Sequence, residues 1–145
     1  MRTKDFLARV DHDRVVSEIK RAEAKTSGQI RVFVQRGELS DDPVVAAERQ
    51  FDKLGMRATK ERNGVLIFVV PRARKFAVIG DEGVHAKCGD IFWQLLVEKM
   101  RAHFQSENFT DALVEAIETA GGLLSEHFPR TSSSENELPD EIVEG

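Results

Sequence analysis

Apolar residues recur at helical spacing in four stretches of the chain, and alternate or run together in three others. Thr3 to Lys25 is the first helical stretch, in one or two pieces. Val15, Val16, Ile19 and Ala22 lie three or four apart among charges, with Thr3 and Asp11 as N-cap candidates. Ser27-Gly28 stops it. Gln29 to Gln35 then alternates and is rich in β-branched residues, which predicts a strand. Asp42-Pro43 opens a second helix, with aspartate at the cap and proline at the first helical position. Its stripe is Ala47, Phe51 and Leu54, and Gly55 ends it.

Met56 to Asn63 is a polar, mostly basic loop. Gly64 to Val70 is almost wholly apolar, the signature of a strand covered on both faces. Pro71 to Arg74 is a tight turn, and Lys75 to Ile79 returns as an antiparallel partner. Gly80 to Gly89 carries three glycines and reads as a loop. Asp90 then caps a helix to about Phe104, apolar on most sides and expected deep in the core. Thr110 caps the last helix, with the stripe Leu113, Ile117, Ala120, Leu124 and Phe128. Gly121-Gly122 interrupts that helix and predicts a bend or close packing. Pro129 ends the domain.

The predicted fold class is α/β, a three-layer α/β/α sandwich. Its small mixed sheet combines a parallel crossover with an antiparallel hairpin. Residues 1–129 form the domain, and 130–145 are an acidic tail expected to be disordered. Within that tail, Leu138, Ile142 and Val143 of the NELPDEIV segment are candidates for docking.

Charge sharpens this division. The net charge is −4, but five of the 25 acidic residues fall in the last fifteen positions, leaving 20 against 21 basic ones in the body. A neutral body offers no concentrated basic face, so nucleic acid is not expected as a partner. No apolar run is long enough to span a bilayer, and the first residues lack a signal-peptide core, so a cytoplasmic protein without membrane insertion is expected. Cys88 is the single cysteine, which excludes an internal disulfide.

Several segments resemble the TPM domain family: TSGQIRVFV at 26–34, AAERQFDKLGM at 46–56, NGVLIFVVPRARKFAVIGDEG at 63–83, FWQLLVEKMRAHF at 92–104 and FTDALVEAI at 109–117. The resemblance implies a Rossmann-like sandwich. It also implies activities scattered among acid phosphatases of the thylakoid, photosystem repair factors and a receptor-modulating membrane protein, with calcium binding among members. This chain departs from the family's G-x-G-L-E motif, where it has Gly80-Asp81-Glu82-Gly83-Val84-His85.

Strand directions locate a candidate site. A parallel crossover followed by a hairpin brings the end of the third strand beside the starts of the first two. Thr26, Ser27, Arg57, Thr59, Lys60, Arg62, Asn63, Asp81, Glu82, His85, Cys88 and Asp90 are then expected on one rim. Asp81, Glu82 and Asp90, with His85, are the metal candidates, because calcium takes carboxylate and carbonyl oxygens. Read plainly, they are a solvated acidic turn and a helix cap. Thr26, Ser27, Arg57, Lys60, Arg62 and Asn63 are the binding candidates, though three bases on a loop are often only solvated. Asp41 and Asp42 at the opposite rim, beside Arg72 and Arg74, are the alternative metal pair, with Asp42 also explained by capping. Cys88, next to Lys87 and before a helix, has features that favour a thiolate. No arginine stands six positions on, however, as a cysteine phosphatase needs; Gln94 is there. Asp11-His12-Asp13 has the form of a phosphotransferase motif but opens a helix, so capping explains it better.

P-loop, dinucleotide, nucleophile-elbow and H-E-x-x-H motifs are all missing. Three functions stay open. The first is a module binding a protein partner or calcium. The second is a metal-dependent acid phosphatase in which Asp81 and Glu82 hold the metal, Arg57 or Arg62 the phosphate, and His85 acts as acid or base. The third is an interaction protein whose own C-terminal tail docks by strand addition. Partner identity and oligomeric state are not legible.

Overall fold

In a computed structural model of the chain, residues 1–130 and 141–145 are described, with Ile91 and Phe92 described by backbone alone. The elements run α1 (Thr3–Ala8), α2 (His12–Glu23), β1 (Gln29–Val34), α3 (Pro43–Lys53), β2 (Gly64–Val70), β3 (Lys75–Gly80), α4 (Glu82–Gln105), α5 (Phe109–His127) and β4 (Ile142–Glu144). The sheet order is β3-β2-β1-β4. β1 is parallel to β2 and to β4, while β2 and β3 form the expected antiparallel hairpin.

The sheet separates two apolar layers. On one face Ile30, Val32, Val65 and Ile67 pack with Val15, Ile19, Leu96, Leu113 and Ile117 from the helices α2, α4 and α5. On the other, Phe33, Leu66 and Phe68 pack with Ala47 and Phe51 of α3. Every residue of β1 and β2 is buried, as strands covered on both sides must be. This is the three-layer α/β/α arrangement expected from the sequence.

Local chemistry explains most element ends. The Asp42 side chain accepts a hydrogen bond from the Val44 amide, with Pro43 at the start of α3. Gly55 adopts φ +69, which lets the chain leave that helix through the left-handed region. Asp11 caps α2 through the Arg14 amide at 3.1 Å, so the D-x-D motif is a helix start.

Five expectations need correction. Thr3 lies inside α1 rather than capping it, and its hydroxyl donates to the Gln35 carbonyl at 3.3 Å. Thr110 also lies inside its helix, where Oγ1 accepts from the Asp11 amide at 3.0 Å, tying α5 to α2. The Gly80–Gly89 stretch is not a loop. α4 begins at Glu82, capped by Asp81 and not by Asp90, which lies inside the helix, and is interrupted only at Gly89, with φ +70 and ψ 175. Gly83 is small for a packing reason: a Cβ there would stand 2.4 Å from the Glu61 carbonyl oxygen. The rest of α4 is less deeply buried than expected, with Leu95 57% exposed. Finally, the last residues are not all tail, because Ile142–Glu144 add a strand to β1. Ile142 and Val143 dock as anticipated, while Leu138 lies outside the described residues.

Close packing, rather than a bend, accounts for the first glycine of the α5 pair. A Cβ on Gly121 would stand 2.6 Å from that of Ala22 on α2.

Candidate functional site

The rim at the start of β1 and β2 forms as the strand directions require. Gln29 is level with Gly64, and Val65 with Gly80, so all three loops meet there. The Asp81 amide donates to the Gly64 carbonyl at 2.9 Å, and the Gly83 amide to the Arg62 carbonyl at 2.9 Å. These bonds hook the start of α4 onto the basic loop.

Asp81 is the centre of the rim. Its side chain has no exposure. One carboxylate oxygen, Oδ1, accepts from Arg57 Nη1 at 3.0 Å, from Arg62 Nη2 at 3.3 Å and from the Glu82 amide at 2.8 Å. The other, Oδ2, accepts from Arg62 Nε at 3.0 Å. Asp81 is therefore both the N-cap of α4 and the shared acceptor of two guanidiniums. Such hydrogen bonds are strong because donor and acceptor are both charged, and the carboxylate is shielded from water.

The arginines are tied further. Arg57 also donates to Asp52, and that bond, with the field of Asp81 added, raises its pKa. It lies over the Phe51 ring, 5.2 Å from the centroid. The bond to Asp81 raises the Arg62 pKa, helped by Glu82 at 3.6 Å. Arg62 reaches this position from a left-handed backbone, φ +53.

Beside this cluster, the Ser27 hydroxyl donates to Glu61. The Asn63 amide nitrogen donates to Ser27 Oγ at 3.2 Å and to Glu61 at 3.3 Å. Thr26 is wholly buried; its hydroxyl donates to the Phe128 carbonyl and accepts from the Gly28 amide. Asn63 is 1% exposed and Thr59, 4% exposed, accepts from its amide, so these three hold the rim from inside. Lys60, Glu61 and Glu82 are exposed, Ser27 and Arg62 half-buried.

The remaining candidates scatter. His85 and Asp90 are exposed along α4, on opposite sides of its kink. Cys88 is half-buried, and its pKa is pushed up by burial and then by Glu126, against the downward pull of Lys87. Burial therefore outweighs the neighbouring lysine and helix that would favour a thiolate, as in an ordinary semi-buried cysteine. Lys87 turns to α5, donating to the His127 carbonyl at 3.3 Å and lying 4.5 Å from the Phe128 centroid. At the opposite rim Asp41 pairs with Arg49 at 2.7 Å and Asp42 caps α3. Among the described residues no three His, Cys, Asp or Glu side chains cluster closely enough to hold a metal ion.

Sequence reasoning missed Asp52 and Glu61, which complete the network. Their only signal was their proximity in sequence to Arg57 and to the Lys60–Asn63 run.

The TPM domain family matches residues 1–123. This chain belongs to the TPM domain family. It is similar to the BA42 protein of the psychrophilic bacterium Bizionia argentinensis, solved by NMR. The two are 34% identical, with 94% of this chain and 95% of that one covered and a TM-score of 0.85. The fold also matches the N-terminal domain of a P. gingivalis protein at 21% identity, covering 79% of this chain and 76% of that one, with a TM-score of 0.61. No curated protein matches. Among the described residues, no helix is long and apolar enough to cross a membrane.

Proposed function

We propose that this TPM domain is a non-catalytic module that binds a protein partner through the rim of Arg57, Lys60, Arg62 and Ser27. One observation carries the reading: the Asp81 carboxylate, without solvent exposure, is already shared by two arginines and a helix amide. A metal-dependent phosphatase needs that carboxylate for its ion and those arginines for the phosphate. Here each neutralises the other. The same argument weighs against calcium. A hard cation wants several accessible oxygens, and both oxygens of the unexposed Asp81 carboxylate already face a guanidinium. What the rim presents outward is a surface of mixed charge whose arginines are already held by ion pairs. Side chains held in place before contact lose less conformational entropy on binding.

The test has two arms. Turnover of p-nitrophenyl phosphate with calcium or magnesium should not exceed that of Asp81→Ala. Turnover abolished by Asp81→Ala and Glu82→Ala would make the chain an enzyme. A photo-crosslinker at position 60 should give a saturable protein adduct that one at position 72 does not. Equal labelling from both positions would remove the rim as the contact surface.

A second reading is favoured by β4. Ile142–Glu144 pair in parallel with Val32–Val34, Arg36 bonds Glu144, and the Arg36 amide donates to the Gly145 carbonyl at 2.7 Å. Ile142 enters one apolar layer and Val143 the other. The segment thus covers the edge of β1, which a partner's strand would otherwise use. Removing residues 141–145 should expose that edge and promote self-association, read by light scattering. A monomer with unchanged β1 amide shifts would exclude this role.

A further inference from the structure

We propose that the cleft at the opposite end of the sheet binds a small amphipathic anion, a carboxylate carried on an apolar body. The cleft has a volume of about 790 Å³. That lies within the range of small-molecule sites, roughly 300–1,000 Å³. It opens where β2 ends, at Val69 and Val70, between the start of α3 and the turn joining α4 to α5. The carboxyl ends of parallel strands are where open α/β sheets place ligands.

Its floor is aromatic. Phe6, Phe76, Phe104 and Phe109 line it. Their ring centroids stand 5.0 Å apart for Phe6–Phe109 and Phe76–Phe104, and 5.9 Å for Phe104–Phe109. Phe76 and Phe104 are only half-buried, so part of this apolar surface is left to solvent.

Its mouth is cationic. Arg74, Lys75 and Arg101 line the cleft and are exposed. Among the described residues, none of the three has a carboxylate within ion-pair reach. The two acids that line the same cleft are engaged elsewhere. Asp42 accepts from the Val44 amide at 2.9 Å, and Glu107 faces Arg9 at 3.5 Å. A concave apolar floor with uncompensated bases at its edge selects an apolar body bearing one negative group. A cation would be repelled, and a neutral hydrocarbon would leave the bases unused.

Titrating decanoate into the full chain, followed by amide NMR, tests this. The amides of Lys75, Phe76, Arg101 and Gln105 should move together and saturate. Decanol, with the same tail and no charge, should bind about tenfold more weakly, as should decanoate to Lys75→Glu or Arg101→Glu. Arg101→Gln gives the milder version should a reversal disturb the fold. Arg72→Glu changes the same hairpin outside the cleft and should leave affinity unchanged. Equal affinity for decanol and decanoate, an equal loss in Arg72→Glu, or shifts confined to other residues would each overturn the proposal.

Discussion

The two ends of the sheet carry comparable sets of bases in different company. At the start of β1 and β2, Arg57 and Arg62 converge on Asp81, with Asp52 and Glu82 adding further acid. At the far end, Arg74, Lys75 and Arg101 surround a cleft whose two acids face a helix amide and Arg9. Both ends would read from composition as basic patches. Only one has consumed its charge internally. A base paired with a buried acid holds the fold, whereas an unpaired base over an apolar floor is available to a ligand.

Substitutions can break this contrast or make it sharper. The largest effect is expected from Asp81→Ala. It removes the cap of α4 and the acceptor shared by both arginines, at a cost of about 2–3 kcal/mol by urea denaturation. The double variant Lys75→Glu/Arg101→Glu should stay within about 0.5 kcal/mol of the parent. Equal losses would mean that the far bases are structural too.

Gly83→Ala comes next. Alanine in a helix normally stabilises relative to glycine, but here, in the first turn of α4, its Cβ would meet the Glu61 and Arg62 carbonyl oxygens at 2.4 and 2.8 Å. A loss of about 1–2 kcal/mol is expected, because backbone cannot give way as a flexible side chain would. Gly122→Ala, with nothing within 4 Å, is the control, and should gain up to about 1 kcal/mol.

A pair of identical changes gives a smaller but more discriminating test. Arg62 and Arg74 both sit in the left-handed region, at φ +53 and +54. Glycine relieves that backbone strain equally in either place. Arg74→Gly should therefore gain about 0.5–1 kcal/mol. Arg62→Gly should lose stability, since it also gives up two bonds to Asp81. The same sign at both ends would show that the Asp81 bonds add little.

The smallest effect concerns Cys88. Its thiol pKa is raised, chiefly by burial, so at neutral pH less thiolate is present than in free cysteine. Alkylation by iodoacetamide at pH 7 should be slower than for the free amino acid, and should accelerate only above the usual thiol range. A faster rate would mean that cationic charge from Lys87 or the arginine rim still acts on the sulfur.

The residues make much of this fold readable. GVLIFVV at 64–70 is apolar at nearly every position because both faces of β2 are covered. Asp42-Pro43 and Gly55 mark the ends of α3 through bonds within one turn of chain. The convergence of Arg57 and Asp81 follows from one parallel and one antiparallel pairing. The nature of their meeting does not. Arg57 could have been solvated and Asp81 free, and nothing within four residues of either decides it. The glycines of 80–89 pointed to a loop, but each has a reason of its own: Gly83 lies against the 61–62 backbone, 21 residues earlier, Gly80 lies against Val84 and Trp93, and Gly89 breaks the helix at φ +70.

The identity of most elements, the start of α4 and the strand β4 excepted, the binary pattern of the core and family membership were set by the amino-acid order alone. They depend on interactions a few residues long, or on patterns repeated along one element. Which charges cancel, which polar side chains turn inward and where a cleft opens were decided by tertiary packing. Asp81 is neutralised by bases 24 and 19 positions away, and the aromatic floor draws Phe6 of α1 against Phe109 of α5. Coulomb energy and excluded volume depend on distance in space, and sequence separation does not record it.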